Sequence, residues 1–174
     1  MDTFEFSVVA TGLDPGAPDF EARFYEAGCD DATISFQKGH IIVDFAREAE
    51  NIAVAIGSAL AAVERAGASV ERVEPDPLVS LADIAQRTGM SRAAMTQYAK
   101  GQRAEGFPRP VAKVTSDSPL WDWASVSLWL AQRQKLGHAE VIRAAAVKQA
   151  NAVIEAGSID VAEPIRRRLR ELAA

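Results

Sequence analysis

Cysteine is nearly absent: Cys29 stands alone among 174 residues, so no internal disulfide can form and a disulfide-stapled scaffold is excluded. Histidine is almost as scarce. His40 and His138 lie far apart, and with a single cysteine they leave no spacing for a conventional zinc site. No apolar run approaches the roughly 18 residues that a membrane-spanning helix needs. The opening MDTFEF carries two acids and no basic stretch, which speaks against a secretory leader. The loop at residues 12–16 lacks the lysine of a phosphate-cradling P-loop. Carboxylates occur as Asp30-Asp31 and as Asp44 with Glu48 and Glu50, without a nucleophile or a metal pattern beside them. Cys29 follows Gly28 at an expected helix end, where the dipole does not lower a thiol pKa. These absences lead us to expect a cytoplasmic chain that is not an enzyme and carries no cofactor, no metal and no membrane segment.

What is present is the balance of a folded protein: 48% hydrophobic and 25% charged residues. The net charge of −5 conceals a division. Residues 1–78 hold 5 basic against 15 acidic side chains, residues 79–136 hold 8 against 4, and residues 137–174 hold 6 against 5. Any surface for a polyanion is therefore expected after residue 78, and the acidic first part is expected to serve another purpose.

Residues 4–10 alternate apolar and polar side chains, the period of a half-buried strand. Two glycines and two prolines make residues 12–18 a loop. Asp19 is placed to cap a short helix carrying Phe20 and Phe24, with Gly28 at its end. Residues 32–36 and 41–45 read as strands joined by a turn at Lys38-Gly39. Ile52, Ile56, Leu60 and Val63 form a helical stripe ending at Gly67, and residues 70–73 form a last strand before the hinge Pro75-Asp76-Pro77. The order β-α-β-β-α-β is that of the split βαβ, or ferredoxin-like, arrangement, which fixes architecture but hosts many activities.

From Val79 the signals change. Ser80 caps a helix with Leu81, Ile84 and Ala85 on one face, Gly89 stops it, and Ser91 caps a second helix over residues 92–100, closed by Gly101. Two short helices about a glycine turn are a helix-turn-helix signature. Phe107-Pro108-Arg109-Pro110-Val111 then leads into an expected strand at 112–115, a turn at 116–119, a return strand at 120–121 and a helix over 122–134. The C-terminal residues 138–172 read as two helices, the second bearing Ile165, Leu169 and Leu172 among Arg166, Arg167, Arg168 and Arg170.

The pieces LADIAQRTGMSRAAMTQYAKG, GFPRPV and WDWASVSLWL, in that order, resemble the excisionase and AlpA-like branch of the MerR-type winged-helix proteins. The resemblance covers about a third of the chain, residues 79–134. It implies a DNA-binding helix-turn-helix followed by a β-hairpin wing. A departure is the alanine-rich second helix, ending Gln97-Tyr98-Ala99-Lys100 where many relatives carry a longer polar run. On this reading Ser91 and Arg92 stand at the entry of a recognition helix, Thr96 and Gln97 one turn on, and Lys100 beyond them near phosphate. Arg103, Arg109 and Lys113 flank or lie on the wing, while Asp117 near its tip speaks against deep groove entry. Phe107, Pro108, Trp121, Trp123 and Trp129 are expected as the core that holds the wing. The arginines at 166–170 read either as a nucleic-acid patch or as a solvated helix end.

The whole is expected to be an α+β protein with three parts: an acidic ferredoxin-like domain at 1–78, a winged helix-turn-helix at 79–136, and C-terminal helices at 137–174. The expected function is a sequence-specific regulator of transcription on double-stranded DNA. It is expected to act as a homodimer through the C-terminal helices or the N-terminal sheet, with the acidic domain sensing, dimerising or taking a protein partner. Three other readings stand beside it: an antitoxin-like interaction module that represses its own operon, a small enzyme or ligand-binding protein on the first domain, and an architectural protein that bends DNA.

Overall fold

The computed structural model describes all residues from Met1 to Ala174 and has an α+β fold with seven helices and a four-stranded antiparallel sheet. The chain forms two compact units, one of Met1–Pro75 with Ala145–Ala174, the other of Asp76–Ala144.

In the first unit, β1 (Asp2–Thr11), α1 (Phe20–Glu26), β2 (Ala32–Gln37), β3 (His40–Ala49), α2 (Ile52–Arg65) and β4 (Ser69–Glu74) follow one another. The sheet order is β2-β3-β1-β4, with every neighbouring pair antiparallel. The two-residue turn between β2 and β3 needs positive φ at both positions. Gly39 adopts +82° at no steric cost, and Lys38 is carried to +52°. Alternation along the strands sends Phe6, Val8, Ala10, Ile41, Val43, Phe45 and Val73 to one buried face. There Phe6 stacks on Phe45 with ring centres 5.5 Å apart.

Asn51 caps α2 by accepting from Val54 N–H at 3.1 Å, and α2 packs its Ile52, Ile56, Leu60 and Val63 stripe on β1, β3 and β4. Asp19 precedes α1 as expected but makes no side-chain cap; its carboxylate pairs with Arg23 at 2.8 Å instead. On the polar side of the sheet the Ser7 hydroxyl donates to the Asp44 carboxylate.

The C-terminal helices, expected as a third part, divide between the two units. The boundary falls within α6 (His138–Glu155), and α7 (Ala162–Ala173) packs on α2. Gly57 permits that approach: a Cβ there would lie 3.4 Å from the Ala162 methyl. Asn151 of α6 binds the main chain of Val73, accepting its N–H at 2.8 Å and donating to its carbonyl at 2.9 Å. Ile165, expected at a dimer contact, is fully buried within its own chain, and Leu169 and Leu172 are half-buried.

In the second unit, β5 (Leu78–Val79), α3 (Leu81–Thr88), α4 (Arg92–Ala99), β6 (Trp121–Asp122) and α5 (Trp123–Gln132) surround an aromatic core. The expected strand at 112–115 is reduced to one bridge, Ala112 to Leu120. Lys113 turns to φ +50° and ends the extended run, and Pro110 and Pro119 have no N–H to give a ladder. The return strand shifts to Trp121–Asp122 and pairs with Leu78–Val79, next to the start of α3. No helix of the chain is long and apolar enough to cross a membrane.

Candidate nucleic-acid interface

Helices α3 and α4 are set by their caps. Ser80 and Asp83 form a reciprocal box: Asp83 N–H donates to Ser80 Oγ at 3.1 Å, and Ser80 N–H to Asp83 Oδ2 at 2.8 Å. The bond from the Ser80 backbone, then that from its hydroxyl, holds the Asp83 carboxyl below its usual range against the opposing effect of burial. Gly89 ends α3 in the left-handed region at φ +70°, and Ser91 starts α4 by accepting from Ala94 N–H at 3.1 Å.

Period then sorts α4 into two faces. Ala94, Met95 and Tyr98 are buried in the core with Ile84, Trp121, Trp123, Val126 and Leu130. Arg92, Ala93, Gln97 and Lys100 are exposed, with Thr96 half-buried among them. Arg92, Thr96 and Lys100 follow at intervals of four, one row along a helix that rises about 12 Å from Arg92 to Lys100. The Thr96 hydroxyl donates to Arg92 O at 3.1 Å, so its proton is tied to the helix itself.

The chain beyond α4 is pinned to the same core. Gln102 N–H donates to Gln97 O at 2.9 Å, closing the helix end past Gly101. Arg103 lies over the Tyr98 ring at 5.5 Å and reaches Gln97 Oε1 at 3.4 Å. Phe107 inserts among Tyr98, Trp121 and Trp129, its ring 5.2 Å from Trp129 and 6.2 Å from Tyr98. Trp121 Nε1 donates to Pro108 O at 2.9 Å. Arg133 donates to Glu105 O at 2.9 Å while its guanidinium covers Trp129 at 3.7 Å. Its role as the strap of this loop went unread in the sequence, because the Glu105 carbonyl and the Trp129 ring face are brought to it by the tertiary fold.

Of the residues expected to meet DNA, Ser91, Arg92, Thr96, Gln97 and Lys100 share α4, and Arg103 joins them through Gln97. Arg109 and Lys113 are exposed on the loop, where Val111 and Val114 are also exposed, 57% and 62%. Arg92, Lys100, Arg109 and Lys113 have no carboxylate partner, whereas Arg87, Arg133 and Arg143 in the same unit are bound to protein groups. Asp117 is exposed on the loop between these cations and β6.

The alternative centres look different. Arg166 and Arg170 share Glu163 at 3.9 and 2.8 Å, and Arg168 pairs with Glu171 at 3.3 Å, so the two acids of α7 offset half of its basic cluster. His40 Nδ1 lies 3.0 Å from Glu71. Burial pushes the Cys29 thiol up to about 11, which suits packing rather than nucleophilic chemistry. Asp31, half-buried, is bound by Arg47. No group of three or more His, Cys, Asp or Glu side chains is gathered as a metal ion would require.

No protein-family model, no curated protein and no solved structure matches the chain.

Proposed function

We propose that the chain is a sequence-specific double-stranded DNA-binding regulator of transcription, with the unit Asp76–Ala144 as its winged helix-turn-helix and α4 as the recognition helix. The observation that carries the reading is the solvent row of α4: Arg92, Thr96, Gln97 and Lys100 stand on the face opposite Ala94, Met95 and Tyr98, and its two cations are unpaired. A helix fits the major groove, where Arg pairs with guanine and Gln with adenine. The short pairing of β5 with β6 and the pinned loop 102–119 support a wing whose Arg109 and Lys113 meet phosphates. The order β2-β3-β1-β4, with helices after β1 and β3, supports a ferredoxin-like reading of the acidic unit. One such small module binds DNA modestly, so we expect a homodimer on two half-sites.

Selection of bound duplexes from a random pool at stated salt tests the reading. It should return a defined site bound by two chains. On that site Arg92→Ala and Gln97→Ala should each cost about 1–3 kcal/mol and relax one base position. Lys113→Ala should weaken all sequences alike and lower the salt slope by about one. A Gln97→Ala protein with unchanged preference and affinity would remove α4 from the readout.

A further inference from the structure

Strand β2 is an edge of the sheet. Its register is fixed at both ends, by the Gln37–His40 pair beside the turn and by Ala46 N–H donating to Asp31 O at 3.1 Å. Hydrogen-bonded and non-bonded pairs alternate along an antiparallel ladder, so Thr33, Ser35 and Gln37 bond β3. The N–H and C=O groups of Ile34 and Phe36 therefore point off the open edge. Along this edge β2 has no proline, no lysine and no bulge, and no further strand pairs with it.

The side chains of Ile34 and Phe36 pair across β3 with Val43 and Ile41, on the face that the helices cover. Yet Phe36 is 47% exposed, because α1 has only seven residues and leaves this edge partly bare. Between α1 and β2 lies a hollow of 480 Å³, lined in part by Glu21, Tyr25, Glu26, Asp30, Thr33 and Ile34. Its apolar lining includes Ile34 and the 69% exposed Tyr25; its charged lining residues are all acids.

We propose that this groove docks an extended segment of a partner protein in which basic and apolar residues alternate, adding a fifth strand to the sheet at β2. The main chain of Ile34 and Phe36 supplies the hydrogen bonds, as in other strand-addition complexes. The segment's basic side chains enter the hollow, their aliphatic stems over Ile34 and Tyr25 and their charges at Glu21, Glu26 and Asp30, while the alternating apolar side chains lie on the other face of the sheet. A second copy of this chain fits less well, since it would bring the same three acids to the same edge.

The full-length protein titrated with a short peptide of alternating lysine and valine, and with its glutamate counterpart, tests this by amide NMR. The lysine peptide should bind saturably, with the Ile34 and Phe36 amides shifting most and gaining protection from exchange; the glutamate peptide should not bind. Phe36→Pro removes an outward N–H without taking one from β3, and should weaken binding about tenfold with the fold intact by circular dichroism. Glu21→Lys with Glu26→Lys should weaken it comparably while leaving the edge unaltered. No saturable binding of the lysine peptide, or binding that both variants leave unchanged, overturns the proposal. A dimer that Phe36→Pro dissociates would overturn it in favour of a second copy. DNA binding is independent of every one of these outcomes.

Discussion

Arg47 is the residue where the sequence and the fold look most opposed: a cation on the buried face of β3, 9% exposed. The conflict is resolved by saturation. Its guanidinium meets both carboxylate oxygens of Asp31 at 2.8 Å, donates to Gly28 O and to Ser58 Oγ, and lies over Phe45 at 4.6 Å. A buried charge that loses its counter-ion is costly, so Asp31→Asn should destabilise the chain by about 2–3 kcal/mol at pH 7, less than a wholly dry pair because Asp31 is partly solvated. The hydrogen bond from Arg47 holds the Asp31 carboxyl below its ordinary range. A depressed folded-state pKa contributes stability above the unfolded value, near 4, and that contribution is lost as pH falls through the folded one. Urea titrations of both proteins should show a gap that is full at pH 7 and closes below about pH 4. A gap that does not narrow at all as the pH falls below 4 would mean that Asp31 acts through packing and not through its charge.

At the scale of elements, the second unit rests on a loop held by side chains rather than by a ladder. Phe107 is its central anchor, in ring contact with Tyr98, Trp121 and Trp129. Phe107→Ala should cost about 2–4 kcal/mol, the lower range for a half-buried ring. On the proposed function it should also weaken DNA binding beyond that of Arg109→Ala alone, because Arg103, Arg109 and Lys113 would lose a common support. Thermal melts beside binding isotherms separate the two effects, and unchanged DNA affinity in a destabilised Phe107→Ala protein would show that the loop does not position these cations.

The helices around this loop were legible because their signals are local: Ser80, Gly89, Ser91 and Gly101 occupy cap positions that the backbone requires. The sheet of the first unit was legible for the same reason, through period-two alternation and the Lys38-Gly39 turn. The strand at 112–115 was misread because β-branched composition favours extension, while Lys113 in the left-handed region and Ser116 bonded back to Lys113 O at 2.8 Å close a turn there. The α4 face could be read from spacing, but the Arg103–Gln97 and Arg133–Glu105 links depend on how the loop folds back and left no mark in the sequence.

At the scale of the molecule, the C-terminal residues complete the unit that begins at Met1. Asn151 satisfies both main-chain groups of Val73 on the edge strand β4, and Val161 and Ile165 are fully buried. Removing them would take Asn151 from the main-chain N–H and carbonyl of Val73 and uncover the side of α2 at Gly57. A chain ending at Leu136 should therefore melt earlier than the full chain and bind a dye for exposed apolar surface. Ile165→Ala in the full chain should cost about 2–4 kcal/mol. The distinction matters for self-association. If the C-terminal helices served dimerisation alone, the shortened chain would be a monomer as stable as the full chain at concentrations where that chain dissociates; if they complete the first unit, it loses stability at every concentration. Light scattering with thermal melts, on the full chain, the shortened chain and a Leu169→Lys, Leu172→Lys chain, separates the two roles. The double variant alters only half-buried positions of α7, so loss of a dimer there without loss of stability would place the interface on that helix. An unaltered melt in the shortened chain would contradict the structural role assigned to Asn151 and Ile165.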